Sequence, residues 1–401
     1  MWFVYVAVGL VLLTAGGLYT RRRIAAALTE LGLSDRAVRV VRWAIGWLLF
    51  GFPLLAIVTI AVSLSLGWAT MPRFDGAIAG WLLGVPFLWA VLIVFQSLGW
   101  LLALEVVHVI ARRRIGAARA ARLRGLGVLA VVAVFAVYTP ARFLAERGDL
   151  RVRRHQVGVA APTTPVPFRI AFVADVQQDA HLDAAQARAV YATINASQPD
   201  LILSGGDWIN SGPDHIASAA ATAGMLTSRL GTFSVRGDHE HFAYFDRHRS
   251  VAEVEQALGR HGVALLDNEV RWFEHQRKRI AIVFLNYNYI QRADQATVAR
   301  LLAGVAGADY TIAVTHQLDR ALAAQLVDQV DLILAAHTHG GQINPVIGLW
   351  HVNLAGLETE FVDGRYQRGR STIIVTAGIG YSIIPIRYAS PGSVELIELR
   401  L

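Results

Sequence analysis

The chain has 401 residues, of which 54% are hydrophobic, and it carries a formal net charge of +7 and no cysteine. One hydrophobic core rarely grows to this length, so two structural units are expected. The lack of cysteine excludes disulfides, thiolate zinc sites and cysteine nucleophiles. Arginines cluster beside apolar runs instead of alternating with aromatic residues. This pattern indicates membrane topology, and no nucleic-acid partner is expected.

Residues 1–142 are predicted to form a transmembrane region. A bilayer core needs about 20 residues of helix, and the candidate spans are four apolar runs at residues 3–19, 41–66, 78–110 and 126–138. The first run precedes Arg21-Arg22-Arg23 without a small-residue cleavage site, so we expect it to remain as an anchor. Arginine-rich loops stay in the cytoplasm, and here they separate spans one and two and spans three and four. Everything after the fourth span is therefore predicted to lie outside the cytoplasm.

The remainder of the chain reads as a linker followed by a folded α/β domain. Residues 143–167 mix charged residues, valine and three prolines, which predicts a linker. From residue 168 to 401, strand-like apolar runs alternate with helical stretches, as in a sheet covered by helices. Six strands are predicted at residues 169–174, 201–204, 232–235, 279–285, 310–315 and 332–336. Ligands of open α/β sheets bind at the carboxyl ends of strands.

Possible metal ligands follow five of these predicted strands, and they are Asp175, Gln177, Asp207, Asp238, His316, His337 and His339. His337 and His339 are one residue apart after an extended run, so both side chains are expected on one side of it. For Asp175 or Asp207 taken alone, a role as a helix cap or turn residue is the favoured interpretation. Recurrence at successive strand ends instead favours a mixed oxygen and nitrogen site for divalent Mn, Fe, Zn or Co.

These residues resemble the motifs of the calcineurin-like metallophosphoesterase superfamily, in particular its bacterial branch in which membrane helices precede the catalytic domain. That family carries Asp-x-His, Gly-Asp, Gly-Asn-His-Asp/Glu, a lone His and Gly-His-x-His in this order. The matching segments here are Asp175-Val176-Gln177, Gly206-Asp207, Gly237-Asp238-His239-Glu240, His316 and Ala336-His337-Thr338-His339. Gly340-Gly341-Gln342, Gly378-Ile379-Gly380 and Pro385-Ile386-Arg387 also match. The resemblance covers about residues 168 to 400 and implies a four-layer α/β/β/α sandwich.

The resemblance also implies a site for two divalent metal ions. One ion would be bound by Asp175, Gln177, Asp207 and His339, and the other by Asp207, Asp238, His316 and His337. His239, oriented by Glu240, would protonate the leaving oxygen or stabilise the charge that develops on it. Arg387 is a candidate phosphate ligand, with a surface ion pair as the alternative, and Asn210 is a candidate substrate contact.

Two departures from the family pattern bear on activity. Gln177 replaces a histidine, which exchanges a good nitrogen ligand for a weak amide oxygen. Asp238 replaces an asparagine, which adds negative charge and favours hard cations such as Mn. We expect a multi-pass protein of the bacterial inner (plasma) membrane that hydrolyses a phosphomonoester, phosphodiester or pyrophosphate, with a lipid-linked phosphate as a candidate substrate. The alternative is a catalytically weak sensor or scaffold that binds a metal or a phospholipid. The oligomeric state stays open.

Overall fold

The computed structural model describes residues 2–401 except 71–79, 147, 160–162, 164–165, 348–349 and 383, and only the backbone of residues 2–8. The chain divides into two compact units. The helical unit comprises Met1–Leu66, Gly76–Arg147 and Asn344–Val352. The α/β unit comprises Gly67–Asp75, Gly148–Ile343 and Asn353–Leu401.

The helical unit contains the long helices α1 (Trp2–Glu30), α2 (Asp35–Ser65), α3 (Val85–Ile115) and α4 (Ala117–Glu146). A π-helical turn, Gly80–Gly84, leads directly into α3. By length and composition, α2, the segment Gly80–Ile115 and α4 could each cross a membrane. The second predicted span lies within α2 except for its last residue, Leu66, and the fourth lies within α4. The third lies within Gly80–Ile115 except for residues 78 and 79, which are outside the described residues. The first predicted span lies within α1.

Four charged side chains of the helical unit, Arg23, Glu30, Glu105 and Arg124, are paired with one another. The Glu105 carboxylate lies 3.0 Å from Arg23 Nε and 3.3 Å from Arg124 Nη1. Arg124 also contacts Glu30. An unpaired charge in apolar surroundings is costly, and these ion pairs remove that cost. They also connect the arginine-rich ends of α1, α3 and α4.

The α/β unit is built on two six-stranded sheets. The first has the strand order β1-β14-β2-β3-β4-β5 and the second has the order β12-β13-β9-β8-β7-β6. The strands of the first sheet are β1 (Leu150–Gly158), β2 (Phe168–Val173), β3 (Leu201–Ser204), β4 (Thr232–Ser234), β5 (Val263–Leu265) and β14 (Gly392–Arg400). Those of the second are β6 (Glu269–His275), β7 (Lys278–Leu285), β8 (Tyr310–Thr315), β9 (Leu332–Ala335), β12 (Gly364–Arg368) and β13 (Ser371–Val375). A short hairpin of β10 (Val346–Ile347) and β11 (Trp350–His351) belongs to the helical unit.

Helices cover the outer face of each sheet. They are α5 (Ala184–Ala196), α6 (Ile216–Ala223), α7 (Arg247–Arg260), α8 (Gln295–Ala303) and α9 (Arg320–Leu326). The core between the sheets includes Phe172, Phe284 and Leu334. Tyr191 of α5 packs in the core outside the first sheet, and Leu322 of α9 in the core outside the second. Inner strands such as β3, β8 and β9 read as continuous apolar runs because both of their faces are buried. The expected α/β/β/α layers are confirmed.

The linker prediction for residues 143–167 is wrong in its middle part. Residues 150–158 form β1, which pairs in parallel with β14 along its whole length. Val157 is buried, and His155 Nε2 lies 2.7 Å from Glu395 on the neighbouring strand. The alternation of charged and apolar residues that suggested a tether is the pattern of a strand with one exposed face. Pro162 and Pro165 lie outside the described residues.

Candidate metal centre

Five parallel strands deliver the candidate ligands to one region of the α/β unit. Asp175, Asp207 and Asp238 follow β2, β3 and β4, which are parallel neighbours in the first sheet. His316 follows β8, and His337 and His339 follow β9, its parallel neighbour in the second sheet. Parallel strands end at the same edge, so the chain order of the motifs becomes a single cluster in space.

One group of possible ligand atoms consists of Asp238, His316 and His337, and a second consists of Asp175, Asp207 and His316. Within each group these atoms lie within 4.8 Å of one another. Asp238 Oδ2 is 3.0 Å from His337 Nδ1 and 3.3 Å from His316 Nε2. His316 Nε2 is also 3.6 Å from Asp207 Oδ2, so this imidazole connects the two groups.

Two buried side-chain oxygens of the Asp175-Val176-Gln177 motif accept no hydrogen bond from any described residue. They are Asp175 Oδ1 and Gln177 Oε1. The second polar atom of each of these side chains is hydrogen-bonded. Asp175 Oδ2 accepts the backbone N–H of His337 at 3.1 Å, and Gln177 Nε2 donates to Asp207 Oδ2 at 3.2 Å. A buried oxygen left without a donor costs stability. A divalent cation would satisfy both oxygens, so the donor set fits a metal site.

The backbone at the candidate ligands is strained. Five of them have positive φ: Asp175 (50°), Gln177 (46°), Asp207 (59°), His337 (74°) and His339 (51°). L-residues rarely adopt this left-handed conformation, and it is maintained where the surroundings enforce it, often at functional sites. The backbone of Gly237 packs closely against Asp207, since a Cβ atom at Gly237 would lie 2.1 Å from Asp207 Oδ1.

Comparison with known proteins agrees with this geometry. A family profile described as calcineurin-like phosphoesterase matches residues 168–341. Residues 168–341 belong to the calcineurin-like phosphoesterase family. A metallophosphoesterase of Campylobacter jejuni is 25% identical over 286 residues, covering 68% of this chain and 68% of that protein.

Two further relatives differ in how much of their length is matched. A transmembrane protein with metallophosphoesterase domain from Danio rerio is 26% identical over 261 residues, 61% of this chain and 57% of its own length. A metallophosphoesterase of Bacillus subtilis is 26% identical over 240 residues, 58% of this chain and 79% of its own length. The chain therefore spans little more than half of the zebrafish relative.

His339 lies outside both ligand groups of the phosphoesterase domain. Its ring is buried, and Nδ1 lies 3.4 Å from Arg387 Nη2. Burial and the Arg387 guanidinium hold the pKa of His339 well below its usual range. The imidazole is therefore neutral and keeps a lone pair, as a metal ligand must.

His239 is oriented differently from the sequence-based expectation. Its Nδ1 contacts the backbone carbonyl of Asn210, which leaves Nε2 3.9 Å from Asp207 Oδ2 and 3.5 Å from Ser382 Oγ. The Glu240 carboxylate instead accepts backbone N–H groups of Asp207, Trp208 and Gly237 at 2.7–3.0 Å. The predicted pairing of Glu240 with His239 is wrong, because Glu240 holds the loops that carry Asp207 and Asp238.

The two predicted substrate contacts have structural roles. Arg387 is buried, and its guanidinium donates to backbone carbonyls of Ala377, Gly378, Gly380, His339 and Ser390. Neither a phosphate contact nor a surface ion pair is compatible with these bonds. The Asn210 side chain donates to Asp179 Oδ2 at 2.7 Å. The part of Asn210 that contacts the site is its backbone carbonyl, which contacts His239 Nδ1, and not its side-chain amide.

One acidic residue at this centre, Glu358, was not predicted from the sequence. Glu358 Oε1 lies 3.4 Å from His337 Nε2, and Glu358 also contacts Tyr289 and Gln317. It stands outside the matched motifs and follows a short 3₁₀ turn, Leu354–Leu357, in place of a strand. Its position is therefore visible only in three dimensions.

Metal uptake should depend on pH and release protons. Burial raises the pKa of Asp175 to about 7 against the opposing effect of His316. Burial lowers the pKa of His337, but the contacts with Asp238 and Glu358 outweigh it and raise this pKa to about 9. Cations bind the deprotonated ligands. Affinity for Mn²⁺ should therefore rise as pH increases from 6 to 9, by about tenfold per unit for each proton released.

Calorimetric titration of metal-free protein with Mn²⁺, in buffers of different ionisation enthalpy, measures both the affinity and the protons released. An affinity that is constant between pH 6 and 9 would contradict this assignment.

Proposed function

We propose that this chain is a membrane-anchored phosphoesterase that hydrolyses a phosphomonoester, phosphodiester or pyrophosphate bond with two divalent cations. The proposed metal ligands are Asp175, Gln177, Asp207, Asp238, His316, His337 and His339. The observation that carries the proposal is the pair of buried oxygens, Asp175 Oδ1 and Gln177 Oε1, without donors among the described residues. They lie on motifs of the phosphoesterase domain, where a cation would satisfy them.

The residues of the chain divide the work of such a reaction. Two bound cations would neutralise the phosphate, activate a water molecule and stabilise the attacking and leaving oxygens. His239 presents Nε2 towards the ligand groups, because its Nδ1 is held by the Asn210 carbonyl. This nitrogen is the proposed proton donor to the leaving oxygen. Glu240 keeps the loops of Asp207 and Gly237 in place through their backbone N–H groups.

We also propose Mn²⁺ as the preferred cation, because Asp238 adds a carboxylate to the group that it forms with His316 and His337. A substrate with an apolar part, such as a lipid-linked phosphate, agrees with exposed leucines beside the site. Leu354 and Leu357 are 61% and 58% exposed, in the turn that precedes Glu358. Asn353, which begins this turn, donates to the Gly340 carbonyl next to His339.

Membrane anchoring is supported by apolar surface on the helical unit. Trp43, Trp47 and Ile57 of α2 are 75%, 62% and 66% exposed, which suits contact with lipid more than contact with water. We propose a multi-pass protein of the bacterial inner membrane with its phosphoesterase domain outside the cytoplasm. A C-terminal alkaline phosphatase fusion should be active and a C-terminal fluorescent protein that folds only in the cytoplasm should be dark. The opposite pair of results would contradict this topology.

Hydrolysis is tested on the full chain purified in detergent. An aryl phosphodiester, an aryl phosphomonoester and inorganic pyrophosphate are assayed with Mn²⁺, Fe²⁺ or Zn²⁺, before and after chelation. We expect turnover of at least one ester, lost with the chelator and restored best by Mn²⁺. Protein that binds metal but hydrolyses none of the three would instead support a sensor or scaffold.

A further inference from the structure

A carboxylate contacts the outer nitrogen of one metal-ligand candidate. Glu358 Oε1 lies 3.4 Å from His337 Nε2, and the Glu358 side chain is about one-third exposed, at 30%. The other ring nitrogen, His337 Nδ1, faces the ligand group, at 3.0 Å from Asp238 Oδ2 and 3.2 Å from His316 Nε2. The imidazole therefore has one nitrogen directed at the ligand group and one directed at a carboxylate.

This arrangement has a chemical consequence for a metal ligand. A neutral imidazole carries one N–H, and the nitrogen without it supplies the lone pair to the cation. Metal-bound histidines usually donate their other N–H to a carboxylate or carbonyl, which fixes the tautomer and raises the basicity of the ligand. At His337 the proton belongs on Nε2 if Nδ1 is to face a cation.

We infer that Glu358 is a positioning residue that accepts the Nε2–H of His337 and so directs Nδ1 at the cation bound with Asp238 and His316. The inference rests on the proposed function only in requiring that this group binds a divalent cation. Glu358 contributes no ligand atom in this assignment. It acts through the orientation and basicity of His337.

Neighbouring side chains hold Glu358 in this position. The Tyr289 hydroxyl contacts Glu358 Oε2, and the Gln317 amide contacts Glu358 Oε1. The backbone N–H of Tyr289 donates to Asp238 Oδ1 at 2.7 Å, so one residue supports both carboxylates. The Tyr289 ring also packs edge-on against the His337 imidazole, with ring centroids 4.7 Å apart. Contacts from separate loops therefore fix Glu358 relative to His337.

The test compares Glu358→Gln with a matched control, Glu360→Gln, in the full chain purified in detergent. Glu360 lies two residues away and pairs with Arg368 on the surface. Mn²⁺ affinity is measured by calorimetric titration of metal-free protein, with metal content measured after dialysis. Glu358→Gln should weaken binding of one Mn²⁺ by about 10- to 100-fold. Glu360→Gln should bind as the parent does.

Two further measurements separate positioning from a structural role. The melting temperature of metal-free Glu358→Gln should match that of the parent, while its rise with Mn²⁺ should be smaller. Tyr289→Phe, which removes one donor to Glu358, should weaken Mn²⁺ binding in the same direction but less. Wild-type affinity in Glu358→Gln would overturn the inference. Loss of one bound ion even at saturating Mn²⁺ would also overturn it, because Glu358 would then be a ligand.

The binding measurement requires no turnover. A parent protein that binds Mn²⁺ but hydrolyses no ester would contradict the proposed function, and the affinity of Glu358→Gln would still decide this inference.

Discussion

Replacing His239 with alanine should lower kcat by about 10²- to 10⁴-fold while leaving the bound metal in place. The reason is the direction of the ring. Its Nδ1 is held by the Asn210 carbonyl, and its Nε2 lies 3.9 Å from Asp207 Oδ2 without belonging to either ligand group. Removing the ring takes away the proposed proton donor but none of the proposed ligand atoms. The measurement combines steady-state kinetics at saturating Mn²⁺ with metal analysis of the same preparation.

The leaving group provides a sharper version of this test. Protonation matters most for a poor leaving group, so His239→Ala should slow an alkyl phosphate ester more than an aryl ester with an acidic phenol. His248→Ala, an exposed change on α7, should leave both rates unchanged. Equal slowing of the two esters, or loss of metal from His239→Ala, would contradict the proposed role.

Glu240 illustrates what a motif alone does not specify. Its place after His239 suggested a partner for the imidazole, but its carboxylate accepts three backbone N–H groups from two loops. Motif spacing reports which residues recur together and does not report which atoms meet. Arg387 is a second case, since a buried guanidinium bonded to five carbonyl groups cannot be told from an exposed one by its neighbours in the chain.

The α/β class and the convergence of the ligands could be predicted, because both follow from local patterns. The two-sheet sandwich was implied by the resemblance to the phosphoesterase family. Apolar runs that end in a glycine, aspartate or histidine specify parallel strands with polar carboxyl ends. β1 could not be predicted, because its partner β14 lies more than 200 residues later and supplies the sheet edge that its charged sequence needs. Glu358 could not be predicted for the same reason. Its contact with His337 is created by tertiary packing, so no motif spacing in the sequence indicates it.

Replacing Asp175 with asparagine should remove one bound cation and lower kcat by about 10²- to 10⁴-fold, since a metal supplies several kcal/mol of transition-state stabilisation. Asparagine has the same shape. Its oxygen can still accept the His337 N–H that Asp175 Oδ2 accepts at 3.1 Å. Its amide group would then occupy the place of Oδ1, the oxygen without a donor among the described residues. A positively polarised amide there opposes a cation.

Stability distinguishes this loss from misfolding. Burial raises the pKa of Asp175 to about 7. The metal-free protein therefore loses stability as the pH rises from the ordinary pKa of an aspartate to about 7, and this loss stays constant at higher pH. At pH 8, metal-free Asp175→Asn should therefore melt at the same temperature as the parent or higher. A ligand at a hundred times its Kd stabilises a protein by about 2.7 kcal/mol, and the variant should lose much of this gain with Mn²⁺. Asp183→Asn, which keeps a good N-cap on α5, should keep both the metal and the gain. If metal-free Asp175→Asn melts at a lower temperature than the parent, this carboxylate instead stabilises the fold.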